Sequence, residues 1–165
     1  MNIYLRSTTE DEINFVLSAE QSEENRPFVS QWKREQHHEA LSNQDLAHLI
    51  IESAINSKPV GYLILAGLEN ASLSIELRRI VVTDKSKGYG KEALRLIKKL
   101  AFEKLKAHRL WLDVKHHNLR ARHVYESEGF VVEGVLRECI KIGETFESLV
   151  VMSMLCSEYH KIAIQ

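Results

Sequence analysis

The sequence is poor in the residues that mark stapled, metal-binding or membrane-spanning proteins. Its 165 residues include only two cysteines and two prolines, and Cys139 and Cys156 form no CxxC pair. This usage is neither a disulfide framework nor a zinc site, and we expect no bound metal. No run of about 18 apolar residues occurs, and the first residues lack the apolar stretch of a signal peptide. We therefore expect a cytoplasmic protein that makes no membrane contact.

An excess of charge of either sign is also missing. The chain has 22 basic and 23 acidic residues, a net charge of -1 and an isoelectric point near 6.7. This balance gives no overall attraction to nucleic acid, so we expect no direct nucleic-acid binding. Repeats, low-complexity tracts and linkers are absent as well, which predicts a single domain over residues 1–165.

What the sequence does contain is a regular succession of short apolar runs. Strands are predicted at Ile3–Arg6, His48–Glu52, Val60–Ala66, Leu73–Val82, Arg109–Val114, Phe130–Leu136 and Ser148–Leu155. Helices are predicted after Thr9, from Pro27, after the stretch KSKGYGK at residues 85–91, and from Asn118 to a stop at Gly129. Antiparallel strands therefore come first and one β-α-β unit follows. This order predicts an α/β fold with a mixed, mostly antiparallel sheet flanked by helices, not a doubly wound one.

The stretch KSKGYGK links a predicted strand to a strongly amphipathic predicted helix. Glycine is needed where a backbone comes close to a phosphate or takes a positive φ, and the lysines add positive charge. Successive N–H groups at a helix N-terminus then form an anion-binding site. The stretch predicts a phosphate-binding loop, although a glycine turn with solvated lysines would have the same sequence.

Two other kinds of phosphate loop can be compared with this stretch. The kinase-type P-loop is excluded, because Lys85 stands where its first glycine belongs and Glu92 where Ser or Thr should hold magnesium. The dinucleotide fingerprint GxGxxA matches residues 88–93 literally. However, the five residues Thr83–Lys87 separate these glycines from the strand, and the preceding strands are predicted to be antiparallel. A NAD-dependent oxidoreductase is therefore the weaker alternative.

A second motif, NLRARHVYESEGF, lies downstream at residues 118–130. Together with RIVVTDKSKGYGKEAL at residues 79–94, it resembles the GNAT superfamily of acetyl-CoA-dependent N-acetyltransferases. That family carries an R/Q-x-x-G-x-G/A loop, then N-x-x-A-x-x-x-Y-x-x-x-G-F in the next β-α-β step. The similar block extends from Glu76 to about Glu138. One departure is Lys85, where Arg or Gln is usual.

The resemblance implies a fold in which two central parallel strands, Ile75–Val82 and Arg109–Val114, splay apart. It also implies acetyl-CoA as co-substrate and direct transfer of its acetyl group to an amine. The pantetheine arm would pair with the main chain of the first strand, and the glycine loop would hold the pyrophosphate. The cofactor-binding residues implied are Ile80, Val81, Val82, Lys85, Lys87, Gly88, Tyr89, Gly90, Lys91, Asn118, Arg120 and Tyr125. Asn118 can equally serve as a helix cap.

The resemblance further implies that Tyr125 is the general acid, donating a proton to the departing thiolate. A substrate ammonium must lose a proton before it attacks, so a base is needed as well. Asp113 and Glu76 are the two candidate carboxylates, and a chain of waters would also serve. His116 and His117 follow the same strand, where loop residues are the simpler interpretation.

The pair Arg137-Glu138 in GVLRE, with the last two strands, resembles the subgroup of Rim-type ribosomal-protein and spermidine N-acetyltransferases. The early part of the chain is acidic through Glu20, Glu23, Glu24, Glu35 and Glu39. An acidic wall favours a cationic acceptor, so we predict a protein N-terminus or a small polyamine-like amine. Phe28 and Trp32 either line the acceptor pocket or pack in the core, and core packing is the favoured prediction. A homodimer paired through the terminal strands is possible, and a non-catalytic acyl-CoA-binding sensor is the second alternative.

Overall fold

The computed structural model describes residues 2–163, except the side chains of Ser86 and Ala163. Seven strands form one sheet in the order β1-β2-β3-β4-β5-β7-β6. The strands are β1 Ile3–Ser7, β2 Leu46–Ser53, β3 Pro59–Ala66, β4 Ser74–Val82, β5 Arg109–Lys115, β6 Val131–Ile142 and β7 Thr145–Leu155. The helices are α1 Ile13–Gln21, α2 Arg34–Ser42, α3 Tyr89–Lys99, α4 Leu119–Ser127 and α5 Cys156–Ala163. None of the helices in this range is long and apolar enough to cross a membrane.

The predicted mixed, mostly antiparallel sheet is confirmed. Only β4 and β5 are parallel, and their pairing ends at Glu76 and Trp111, although both strands continue. On its other side β4 carries a bulge, because Leu77 pairs with Leu65 whereas Arg79 already pairs with Ile64. An extra residue on one strand bends that strand away from its neighbour. The gap that opens between β4 and β5 beyond this point is the predicted splay.

The sheet has a helical layer on each face. On one face α3 buries Leu94 and Ile97, which are one turn apart, against a large core that includes Leu110 of β5. On the other face α1 packs Val16 onto a smaller cluster with Ile50. Each fully buried Leu or Ile contributes about 1.5–3 kcal/mol to folding. The two layers hold the splay open at the middle of the sheet.

The predicted second helix is misplaced. Residues 23–29 form turns, and α2 begins only at Arg34. The buried side chain of Asn25 explains the difference, because its amide donates to the carbonyls of Ala19 and Val82, at 3.0 and 3.2 Å. These long-range bonds fix a turn where Pro27 alone would permit a helix.

Two further elements differ from the prediction. The short helix α5 was not predicted, and it is held by Tyr159, whose ring stacks on Phe102 at 5.0 Å. The β6–β7 hairpin is longer than predicted, since most of β6 is exposed on both faces and lacks an alternating pattern. Phe28 is 37% exposed and so does not belong to the core, contrary to the prediction.

Candidate active site

The splay presents main-chain hydrogen-bonding groups of β4. The N–H of Thr83 donates to the carbonyl of Val60 on β3, at 2.9 Å. Main-chain groups alternate sides along a strand, so Val81 also faces β3, whereas Ile80 and Val82 face the splay. An extended ligand can therefore pair with β4 at Ile80 and Val82, although the Val82 carbonyl already accepts the Asn25 amide. The main-chain groups of Val81 face β3 and pair there, so they do not offer a ligand the same contact.

The glycine loop ends where α3 begins. Gly88 has φ +73 and a Cβ added to it would meet nothing within 4 Å, so the surface above it is open. The first helical bond runs from Glu92 N–H to the Gly88 carbonyl, at 3.1 Å. The N–H groups of Tyr89, Gly90 and Lys91 precede that bond and have no partner within the helix. Such groups at a helix N-terminus suit an anion, and anion binding by this loop stays a prediction.

Side chains brace this loop from outside. A cleft of about 550 Å³ is lined by Glu24, Thr83, Asp84, Lys85 and Arg120. The Arg120 guanidinium donates to the carbonyl of Lys85 at 2.8 Å, and the ammonium of Lys85 donates to the carbonyl of Glu24 at 2.6 Å. Lys87 pairs with Asp84 at 3.1 Å. The basic residues predicted to bind the cofactor thus shape the loop, and the open cleft beside it carries charges of both signs.

Tyr125 lies on the buried face of α4 and is 9% exposed. Its ring meets that of Phe130 at 5.9 Å, and its hydroxyl donates to no other residue in the part of the chain that the structure describes. Burial raises the pKa of Tyr125, and the negative charge of Asp113 raises it further. The phenol is therefore protonated at neutral pH. The helix is capped by Asn118, whose side chain accepts the N–H of Ala121 at 3.2 Å.

Both candidate bases lie on the same face of the sheet. The side chain of Asp113 alternates with the buried Leu112 and Val114, so it points away from the α3 core. Although Asp113 keeps more than a third of its surface exposed, partial burial in the splay and the nearby charge of Glu76 raise its pKa, while Arg78 opposes the shift. Glu76 itself pairs with Arg78 at 2.9 Å. Two carboxylates thus line one side of the splay, and Tyr125 approaches from the other.

The segment between α1 and α2 crosses the mouth of the splay. On the β4 side, the Asn25 amide holds the carbonyl of Val82. On the β5 side, Lys115 donates to the carbonyl of Pro27 at 2.9 Å. Phe28 follows the second anchor, with its ring 5.7 Å from that of His117 and more than a third of its surface exposed. The α1–α2 segment is therefore a wall of the site, where the prediction from sequence had placed a helix.

Glu20 does not contribute to an acidic wall. It is fully buried and accepts hydrogen bonds from His37 at 2.9 Å, from Arg79 at 2.8 Å and from the hydroxyl of Tyr62. Its second oxygen accepts the N–H of Trp32 at 3.2 Å. These partners lie 12 to 59 positions away in the sequence, so no local pattern could reveal them.

Three cations of α3 share one acidic partner. Lys91, Arg95 and Lys98 all point at Glu128, with nitrogen–oxygen distances of 3.5, 3.1 and 2.9 Å. Their spacing in the sequence places them on one helix face, as a basic stripe would be. The acidic partner lies immediately after α4, about 30 positions away, so no local pattern indicates it.

The chain was compared with known proteins. Residues 14–130 match the model of the Acetyltransferase (GNAT) family. This chain is a GNAT-family acetyltransferase. It is 30% identical over 125 residues to a probable N-acetyltransferase, YjcK, of Bacillus subtilis (strain 168), covering 73% of this chain and 67% of the relative.

Solved structures have the same fold. A spermidine N-acetyltransferase from Vibrio cholerae in complex with CoA and spermine superposes with a TM-score of 0.86 at 21% identity, covering 96% of this chain and 98% of that one. A chimera of the Vibrio cholerae enzyme SpeG and hSSAT gives a TM-score of 0.86 at 20% identity, with coverages of 97% and 99%.

Membership of the family gives this acetyltransferase its reaction and its co-substrate: it transfers an acetyl group from acetyl-CoA to an amine. The site fits that co-substrate, since the open space above Gly88 and the free N–H groups of α3 suit a pyrophosphate. The unpaired main chain of β4 likewise suits an amide-bearing arm. Nothing in the comparisons favours the oxidoreductase or the non-catalytic sensor. The antiparallel pairing of β3 with β4 also differs from the parallel sheet of a dinucleotide-binding fold.

Proposed function

We propose that the acceptor is a small polyamine-like primary amine, and that Asp113 and Tyr125 transfer the protons of the reaction. The carrying observation is the pair of carboxylates, Glu76 and Asp113, on the open side of the splay opposite Tyr125. One of the two carboxylates, Glu76, is paired with Arg78, and the remaining net negative charge attracts a substrate ammonium to that side. The spermidine N-acetyltransferases that share the fold act on an acceptor of this class, which supports the proposal.

Acetyl-CoA supplies a thioester, which an uncharged amine can attack directly. The raised pKa of Asp113 makes its carboxylate a better acceptor for the proton of the substrate ammonium. The negative charge of Glu76 raises the pKa of Asp113 and adds to the negative charge on the acceptor side. The Tyr125 hydroxyl, protonated and otherwise unused, donates its proton to the sulfur as negative charge develops there.

The α1–α2 segment sets the size of the acceptor entrance. Its exposed glutamates, Glu23 and Glu24, lie beside the anchors described above and add negative charge to a rim that also carries Arg26. A slender cation with several amines satisfies both the inner carboxylates and this rim. A lysine-rich amino-terminal peptide would meet the same charges and is the other acceptor to be tested.

The test is an acceptor screen that follows acetyl-CoA-dependent thiol release, with spermidine, spermine and lysine-rich peptides as acceptors. We expect turnover with the polyamines, and we expect Tyr125→Phe to lower kcat by about 10²-fold with little change in acetyl-CoA affinity. Calorimetry with acetyl-CoA supplies the affinity of both proteins. Turnover with peptides alone would refute the polyamine proposal, and full activity of the Phe variant would remove Tyr125 from the mechanism.

We also propose that residues 1–165 act as one unit in a reducing, cytoplasmic setting. All seven strands belong to one sheet, which supports the single unit. Cys139 and Cys156 are both free, and Cys139 is exposed, as is usual for proteins of reducing compartments.

A further inference from the structure

A single buried carboxylate joins the helix that holds the cofactor loop to the helix that carries Tyr125. Glu128 is 6% exposed and lies immediately after α4. Three cations of α3 surround it, and none of the three comes from its own helix. A carboxylate this well buried is costly unless it is paired and hydrogen-bonded, so the cations fix where it sits.

Lys98 makes the tightest of these contacts. Its ammonium is itself nearly buried and donates both to the Glu128 carboxylate, at 2.9 Å, and to the Glu128 main-chain carbonyl, at 2.8 Å. The backbone of Glu128 is therefore held as firmly as its side chain. Two hydrogen bonds from one donor to one residue fix its orientation as well as its distance.

The backbone of Glu128 is in turn bonded to that of Tyr125. The N–H of Glu128 donates to the carbonyls of Val124 and Tyr125, both at 3.1 Å, and the N–H of Phe130 donates to the carbonyl of Tyr125 at 3.0 Å. The last turn of α4 is closed by these bonds. A shift of Glu128 relative to α3 must therefore move Tyr125 relative to the loop at Gly88.

We propose that Glu128 is a positioning residue for the reaction: by clamping the end of α4 to the cationic face of α3, it holds the Tyr125 hydroxyl at the distance from the bound thioester that proton donation requires. The inference rests on the proposed role of Tyr125. Misplacement of a catalytic group by about 1 Å can cost up to about 10²-fold in rate, so such a clamp has a measurable effect.

A double-mutant cycle tests the clamp. Glu128→Gln, Tyr125→Phe and the double variant are compared by kcat, by KM for acetyl-CoA and by the pH dependence of kcat. We expect Glu128→Gln to lower kcat about tenfold while KM for acetyl-CoA changes less than about threefold. In the Phe background the same substitution should change kcat by less than about twofold, because there is no hydroxyl left to misplace. Glu126→Gln, an exposed neighbour on the same helix, is the matched control and should leave kcat unchanged.

The pH profile separates positioning from a general loss of stability. Burial raises the pKa of Tyr125, so a loosened α4 lets solvent in and should move the alkaline limb of kcat to lower pH. Loss of folded protein would instead lower kcat by the same factor at every pH and leave the alkaline limb at the same pH. If Glu128→Gln does not fold, Lys98→Met with Glu128→Gln removes both buried charges together, and the cycle is run with that pair.

The outcomes are distinct. A tenfold loss that persists in the Phe background, or an unmoved alkaline limb, overturns the clamp and leaves the role of Tyr125 intact. A Tyr125→Phe enzyme with full kcat overturns the acid assignment and the clamp with it.

Discussion

At the scale of single residues, the two carboxylates of the splay have separable roles. Asp113 has a raised pKa because of burial and because of Glu76, and Glu76 is held by Arg78. A sequence pattern placed both residues on neighbouring strands but offered no means to rank them. Their electrostatic surroundings differ only in the folded structure, where the splay separates the two strands.

The base assignment predicts two different pH profiles. Asp113→Asn should lower kcat/KM by about 10²-fold and remove the acidic limb that this carboxylate causes. Glu76→Gln should keep most of the maximal rate and shift that limb to lower pH, because loss of a negative neighbour lowers the pKa of Asp113. The measurement is kcat/KM against pH for both variants. The reverse pattern would make Glu76 the base, and two mild effects would indicate proton removal by water.

At the scale of elements, the loop between β4 and α3 is the part of the site that the sequence predicts best. Two glycines, their spacing and the following amphipathic helix indicated an anion site, and the helix begins one residue after Gly88. The sequence does not predict the wall formed by the α1–α2 segment, because the hydrogen bonds of Asn25 and Lys115 that fix it join residues more than 50 positions apart. Local propensity does not depend on such bonds, so the sequence predicts a helix start at Pro27 where the fold has a turn.

The loop makes a prediction with an internal control. Gly88→Trp should weaken acetyl-CoA binding at least about tenfold, because the indole fills the open space where the pyrophosphate is held. Gly143→Trp carries the same backbone strain, since both glycines have positive φ and no neighbour within 4 Å, but it lies in the β6–β7 turn. Calorimetric titration with acetyl-CoA and no acceptor compares them. Equal loss in both variants would mean that strain, not occupancy of the site, caused it.

At the scale of the whole molecule, a buried polar network ties the two early helices to the sheet. His48 bonds to Thr8 at 2.8 Å and to His37 at 3.0 Å, and His37 continues to Glu20. Burial is the first cause that lowers the pKa of His48 to about 4, and the charge of His37 is the second. Burying a charged imidazole in this network would be unfavourable, so the folded state requires His48 to stay neutral.

The free energy of unfolding should therefore decrease as the pH is lowered, well before the carboxylates begin to take up protons. The unfolded chain binds a proton at His48 near pH 6.5, whereas the folded chain resists it down to about pH 4. Stability from this group is thus fully present above about pH 6.5 and declines by up to about 1.4 kcal/mol per pH unit below it. Urea unfolding at pH 7 and pH 4.5 measures the decline. His48→Gln should flatten it and His123→Gln should not; equal slopes for all three proteins would contradict the assignment.

The general architecture could be predicted because each step of it is local. Alternating and helical apolar patterns locate β4, α3, β5 and α4, and the order of elements fixes a mixed sheet. The exposed β6 strand and the short α5 helix lack such a pattern, and their bounds were missed for that reason. The ion clusters around Glu20 and Glu128 depend on tertiary distances alone.

The splay has one more consequence. Three residue pairs are the only parallel rungs between the β1–β4 half of the sheet and the β5–β7 half among residues 2–163. In the proposed binding mode, the ligand arm bonds to Ile80 and Val82, where β4 makes no hydrogen bond to β5. Binding of the co-substrate would then connect the two halves of the sheet, and release of the product would separate them again.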